Sequence, residues 1–238
     1  MGKKNFYAVR RGIDPKTMKS VENIILTTWA ETESYIKGVK SSEYSGFTTR
    51  GEAESYLNTK DPLVNINDEI LPKDFLHCYV DGSFNKSIPN YSFGLVCEKD
   101  EKVTFWDNGI GKNPEAISMQ QIGGEFLGAM NALLYAKNNG YKKVAIIHDY
   151  KGVCYHATGY WKRDNNFSEV YYQWMQKFFK DHPDIEVKFF KVDAHVGHDW
   201  NEIADGLAKI AAGIEPNSIF YKMTTKHNID LKRINIQD

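Results

Sequence analysis

Cysteine is scarce: 238 residues contain only Cys78, Cys97 and Cys154, at neither paired nor metal-ligand spacing. That excludes a disulfide-stapled secreted scaffold and a thiolate zinc site. It fits a reducing compartment, so a cytoplasmic location is expected. Long apolar runs are also missing. No signal peptide, membrane span or membrane association is expected, and Phe6 breaks the myristoylation pattern that Met1-Gly2 begins. Repeats and low-complexity stretches are absent. An excess of charge of either sign is lacking too, the formal net charge being −1. Near-neutrality suggests weaker non-specific binding than a strongly basic protein shows, without excluding a polyanionic substrate. The balance is uneven, however. Residues 1–57 carry nine Lys/Arg against seven Asp/Glu, a net +2, which leaves −3 for the remainder.

What is present is enough for packed cores, with 42% hydrophobic residues. Alternation over residues 4–10 predicts a strand, and Val21–Trp29 predicts a second. Ala30–Gly38 and Thr49–Leu57 read as helices, the latter capped by Thr48 or Thr49 with Glu52 in support. A small ββαα domain over 1–57 results, with a modest core. Residues 58–74 hold Pro62 and Pro72 among polar residues and read as a linker.

A second domain is expected over 75–213. Phe75–Asp81, Tyr91–Glu98 and Lys102–Ile110 read as strands, followed by a helix from about Ser118 to Asn138. Val144–Asp149 is a continuous apolar strand of the buried type. Helices over Lys151–Thr158 and Ser168–Lys180, a strand over Ile185–Val192 and a helix over Trp200–Ala212 complete it. The order βββαβααβα implies an α/β fold, a mixed five-stranded sheet with helices on both faces. Residues 214–238 form a polar tail.

Four acids sit where these elements would carry them toward one point. Asp81 closes a strand and opens Asp81-Gly82-Ser83. Glu125 follows Gly123-Gly124, Asp149 ends the buried strand, and Asp205 lies on an amphipathic helix ten residues after His195. Singly each has an ordinary reading: a turn residue, a first-turn acid, a helix cap, a solvated helix residue. Jointly, four carboxylates without basic partners would repel one another unless cations neutralise them. Two divalent metals serving phosphodiester hydrolysis need that arrangement.

At these residues the chain resembles a type 1 ribonuclease H. The matching segments are Tyr79-Val80-Asp81-Gly82-Ser83, Ile122-Gly123-Gly124-Glu125, Ile146-Ile147-His148-Asp149, Asp193-Ala194-His195-Val196-Gly197-His198 and Asn201-Glu202-Ile203-Ala204-Asp205. Phe6-Tyr7-Ala8-Val9-Arg10-Arg11-Gly12, Thr27-Thr28-Trp29 and Tyr44-Ser45-Gly46-Phe47 resemble the small α+β hybrid-binding (viroplasmin-like) domain that precedes the nuclease in that family. The resemblance implies a ribonuclease H-like fold and an endonuclease that cuts the RNA strand of RNA–DNA hybrids. It implies two Mg2+ ions, with Mn2+ as a substitute, and 3′-hydroxyl and 5′-phosphate ends.

By the same resemblance, Asp81 would bridge the metals, Glu125 and Asp149 would complete one shell and Asp205 the other. His195 would move protons, with His198 structural. Trp29, Tyr44, Ser83, Asn85, Gln121 and Gly124 would contact nucleic acid, and no obligate protein partner is expected beyond a monomer. Two departures stand out. Residues 158–168 carry only Lys162 and Arg163, so the family's basic protrusion is missing, and Ser45 stands where relatives often carry Lys. A DNA-directed nuclease of the transposase class and an inactive binding module are the competing readings. The hybrid-binding segments oppose the first, and the complete acid set opposes the second.

Overall fold

The structure is a computed structural model and describes residues 4–40, 42–163, 165–193 and 198–231. Two compact units divide it, 1–61 and 62–238.

In the first unit, β1 (Phe6–Ile13) is the centre of an antiparallel sheet, flanked by β2 (Ser20–Leu26) and β3 (Glu43–Phe47). Helix α1 (Trp29–Ile36) starts where Thr28 Oγ1 accepts the Glu31 amide, so Trp29 opens a helix rather than closing a strand. Helix α2 (Arg50–Asn58) begins with the expected capping box of Thr49 and Glu52. Ala8, Val9, Ile36 and Ala53 form a core of few residues. The Arg10 guanidinium lies 3.6 Å above the Tyr56 ring and closes one side of it. Strand β3 was not expected. Five residues around Ser45-Gly46 give too short an alternation to stand out from a turn.

The second unit holds one sheet, ordered β4-β9-β8-β5-β6-β7. Its strands are β4 (Leu63–Asn65), β5 (Leu76–Asn85), β6 (Asn90–Lys99), β7 (Lys102–Ile110), β8 (Lys143–His148) and β9 (Glu186–Lys191). β5, β6 and β7 form an antiparallel meander, while β8, β9 and β4 add in parallel. Alternation on β5 divides the core. Leu76, Cys78 and Val80 face α4 (Gln121–Asn138), α5 (Gly152–Thr158) and α6 (Asn166–Asp181). Tyr79 faces the opposite layer, α7 (Asp199–Ala211) and α8 (Ser218–Lys226).

The mixed sheet with helices on both faces is as expected, with three corrections. The sheet has six strands rather than five, because Leu63–Asn65, inside the presumed linker 58–74, pairs with Phe189–Lys191. Three residues at a sheet edge carry no readable periodicity. Next, the helix expected from Ser118 starts at Gln121, after Gln120 at φ 53°, and a separate short helix, α3 (Pro114–Ile117), precedes it. Finally, the presumed tail supplies α8, capped by the Asn217 side chain. Its Phe220 is fully buried in the α7-side core.

The tail helix is therefore part of the folded unit. Phe220→Ala should destabilise the protein by about 3–5 kcal/mol, read from urea unfolding. A loss under about 1 kcal/mol, the range of exposed positions, would show that the helix docks without supporting the core.

Candidate active site

The four acids reach one end of the sheet by register and by close helix approach. Parallel pairing of β5 with β8 ends at Tyr79↔Ile147. Asp81 and Asp149 each lie two residues further on, so both carboxylates stand just past the ladder, where the two strands part. Contrary to expectation, Asp81 does not begin a turn. β5 continues through Gly82 and Ser83 to Asn85, and Asp81 pairs with Gly94 on β6.

Glycines let two helices press against these strands. A Cβ on Gly82 would fall 2.0 Å from the Gln121 carbonyl oxygen and 2.7 Å from the Glu125 amide nitrogen. One on Gly124 would fall 1.8 Å from the Ser92 carbonyl oxygen. Backbone-to-backbone contact of this kind is open only to glycine, and it places Glu125 beside Asp81. On the other sheet face, a Cβ on Gly94 would fall 1.9 Å from the Ala204 carbonyl oxygen. That contact sets α7 and hence Asp205 against the strand position opposite Asp81. Ser92 Oγ donates to the Ala208 carbonyl at 2.6 Å and Asn108 Nδ2 to the Leu207 carbonyl at 3.2 Å, which pins the same helix.

Asp81, Glu125 and Asp149 each present a carboxylate oxygen within 4.8 Å of the others. Glu125 is 3% exposed, and its Oε2 is buried without a hydrogen-bond partner. Burial pushes the Asp81 carboxyl well above the ordinary range, and the charges of Asp149 and Asp205 push it further. The Gly82 amide, donating to Oδ1 at 2.7 Å, opposes this. Burial raises Glu125 likewise, followed by Asp81 and Asp149. His148, next to Asp149, is fully buried and pushed down to about 3, so it is a neutral ring at physiological pH.

Asp205 differs from the expectation of acids without basic partners. Its Oδ2 accepts from Lys209 Nζ at 2.5 Å, one turn along α7. Sequence reading missed Lys209, although the i, i+4 spacing was there to see. His195 and residues 194–197 lie outside the described residues. His198 is described, and its carbonyl accepts the Glu202 amide at the start of α7.

The other expected contacts are placed differently. Gln121 is exposed at the start of α4, whereas Ser83 and Gly124 are buried. The Asn85 side chain is committed internally. Its Nδ2 donates to the Ala212 carbonyl at 2.8 Å, and its Oδ1 accepts the Ser87 amide at 2.9 Å. In the first unit, Trp29 and Tyr44 are 44% and 43% exposed with ring centroids 5.8 Å apart, and the Tyr7 ring also lies 5.8 Å from Trp29. Arg163, one of two basic residues in the shortened segment, pairs with Glu169 at 2.7 Å and lies 3.8 Å over the Tyr172 ring.

The raised carboxyls make the cluster a pH-dependent cost. A carboxyl whose folded-state pKa is raised supplies stability below its unfolded pKa and loses it as pH rises through the folded value. In chelator, the parent should therefore melt progressively lower than Asp81→Asn as pH rises from 4 to 8, with the gap closing toward pH 4. A gap independent of pH would contradict the raised pKa.

The family model described as RNase H matches residues 73–213, and that described as the ribonuclease H1 N-terminal domain matches 5–57. A comparison with curated proteins finds no match. Among solved structures, RNase H1 from the halophilic archaeon Halobacterium salinarum NRC-1 is similar at 17% identity and a TM-score of 0.48, over 58% of this chain and 97% of that one. LC11-RNase H1, isolated from compost by a metagenomic approach, is similar at 14% identity and a TM-score of 0.49, over 59% and 96%. With the RNase H model covering more than half of its length, the chain belongs to the RNase H family, as a ribonuclease H that carries the ribonuclease H1 N-terminal domain.

Proposed function

We propose that this protein is an endonuclease that hydrolyses the RNA strand of RNA–DNA hybrids, using two divalent cations and leaving 3′-hydroxyl and 5′-phosphate ends. The observation that carries the reading is the triad of Asp81, Glu125 and Asp149, whose carboxylate oxygens converge within 4.8 Å around a buried, unpartnered Glu125 oxygen. An all-oxygen, anionic donor set suits a hard cation such as Mg2+ or Mn2+. The fit is chemical as well as geometric, since burial of mutually repelling carboxylates is tolerated when a cation compensates them.

Asp81, Glu125 and Asp149 would hold one cation, and Asp81 with Asp205 the other. Bound there, the cations would acidify a water and stabilise the leaving oxygen. Asp81 and Asp149 stand past the end of the β5/β8 ladder, where a phosphodiester would meet the cations. Gly82 and Gly124 serve by letting α4 seat against β5 and β6, and exposed Gln121 at the first turn of α4 offers an amide toward a 2′-hydroxyl. On the N-terminal unit, the exposed Trp29 and Tyr44 rings offer a stacking surface for the hybrid. Asn85 serves by tying β5 to the end of α7. Proton transfer is assigned to His195 by family resemblance. Cys78, Cys97 and Cys154 are buried and outside any disulfide, which accords with the reducing, cytoplasmic compartment proposed for the protein.

Asp149→Asn keeps the shape of the side chain but removes an anionic ligand. It should fold and bind hybrid, yet cut at least about a hundredfold more slowly in Mg2+, a loss of roughly 2.7 kcal/mol in transition-state stabilisation. The assay sets the hybrid beside all-DNA and all-RNA duplexes. Cleavage by the variant near the parental rate removes Asp149 from the site. Equal cutting of all-DNA duplex by the parent replaces this reading with a DNA-directed nuclease.

A further inference from the structure

We propose that Lys209 is a positioning residue that holds the Asp205 carboxylate in the cation's place and must yield it when the second cation binds. The inference rests on the two-cation reading above and adds a residue that the reading does not require.

Three observations carry it. Lys209 Nζ lies 2.5 Å from Asp205 Oδ2, with the side chains 25% and 13% exposed. Such a pair is sheltered enough to resist the screening that weakens surface ion pairs. Both partners stand on one rigid stretch of α7. The Ala204 carbonyl abuts Gly94, while the next carbonyls, of Leu207 and Ala208, are held by Asn108 and Ser92. The helix therefore fixes where the carboxylate can go, and the lysine selects its orientation. The acids are also treated unequally. Among the described residues, Asp81, Glu125 and Asp149 make no ion pair with a lysine or arginine, so of the four acids only Asp205 on α7 carries its own counter-charge.

A lysine ammonium is a compact point charge on a flexible stem. It can neutralise a carboxylate and withdraw without moving the backbone. The consequence is a site of unequal halves. The triad lacks a competing cation of its own, whereas the half containing Asp205 must displace one. The second cation is then bound more weakly than the carboxylate count implies, and Asp205 does not drift while the site waits.

The test is Mg2+ binding to the full chain by isothermal titration calorimetry, without nucleic acid, repeated with Ca2+. Lys209→Met should tighten the weaker binding event on the order of threefold to tenfold, the range of a partly sheltered ion pair. Lys209→Arg should stay within about twofold of the parent, since it keeps the charge. In an Asp205→Asn background, Lys209→Met should change nothing. Should Lys209→Met fold poorly by thermal melt, Lys209→Gln replaces it with the same expectation. Unchanged or weaker binding in the charge-removed variant overturns the proposal. An equal gain in the Asp205→Asn background also overturns it, because the lysine would then act as a distant field and not through Asp205. A parent that binds neither ion removes the proposed function with it, whereas normal parental binding with no effect of Lys209→Met removes this inference alone.

Discussion

The approach of two helices to a β-hairpin at backbone contact distance is the constraint on which the rest depends. α4 meets β5 and β6 through Gly82 and Gly124, and α7 meets β6 from the opposite face through Gly94. These contacts are at polypeptide atoms, so they leave little freedom in where the helices sit. Glu125 is fixed by the first contact, and Asp205 by the second. Asp81 lies between, adjacent to Gly82 in sequence and across from Gly94 in register. The parallel ladder of β5 and β8 then delivers Asp149 alongside. The candidate centre, a cluster of acids drawn from four distant segments, is thus set by main-chain packing, and its side chains inherit their positions.

That packing has an electrostatic consequence. Glu125 is almost completely buried beside Asp81 and Asp149, and burial with mutual repulsion raises the carboxyls of Asp81 and Glu125. Structure around the cluster must carry this cost until a cation arrives. The large core on the α4 side, where Phe126 of α4 stacks on Tyr171 and Phe167 of α6, supplies the rigidity. On the α7 side the same strain is relieved locally, by Lys209.

Much of this was legible in the sequence, and the remainder was hidden for identifiable reasons. The meander, the long buried strand and the amphipathic α7 showed because each carries many periods of its pattern. Four acids could be grouped through their segments. Gly82, Gly94 and Gly124 were harder. Glycine signals a turn as readily as a close approach, and only the structure shows that Gly82 lies mid-strand under a helix. β4 was hidden by its length, since three residues directly after Pro62 offer no alternation. α8 sat in a stretch of mixed polarity where Phe220 is the one fully buried apolar side chain, with Thr224 beside it and Met223 packed at the edge of the core. Lys209 escaped because acids were sought by convergence and their neighbours one helical turn away were not. Asn85 looked like a substrate contact, yet its side chain is spent on the fold.

The central claim is that packing at these glycines builds a cation site from Asp81, Glu125 and Asp149. Anomalous difference density from crystals of the full chain soaked in Mn2+ tests it most directly. The account predicts a strong peak among the three carboxylates, with a weaker second peak on the Asp205 side of Asp81. Density only at surface carboxylates, with Asp81, Glu125 and Asp149 left empty at saturating Mn2+, would contradict it.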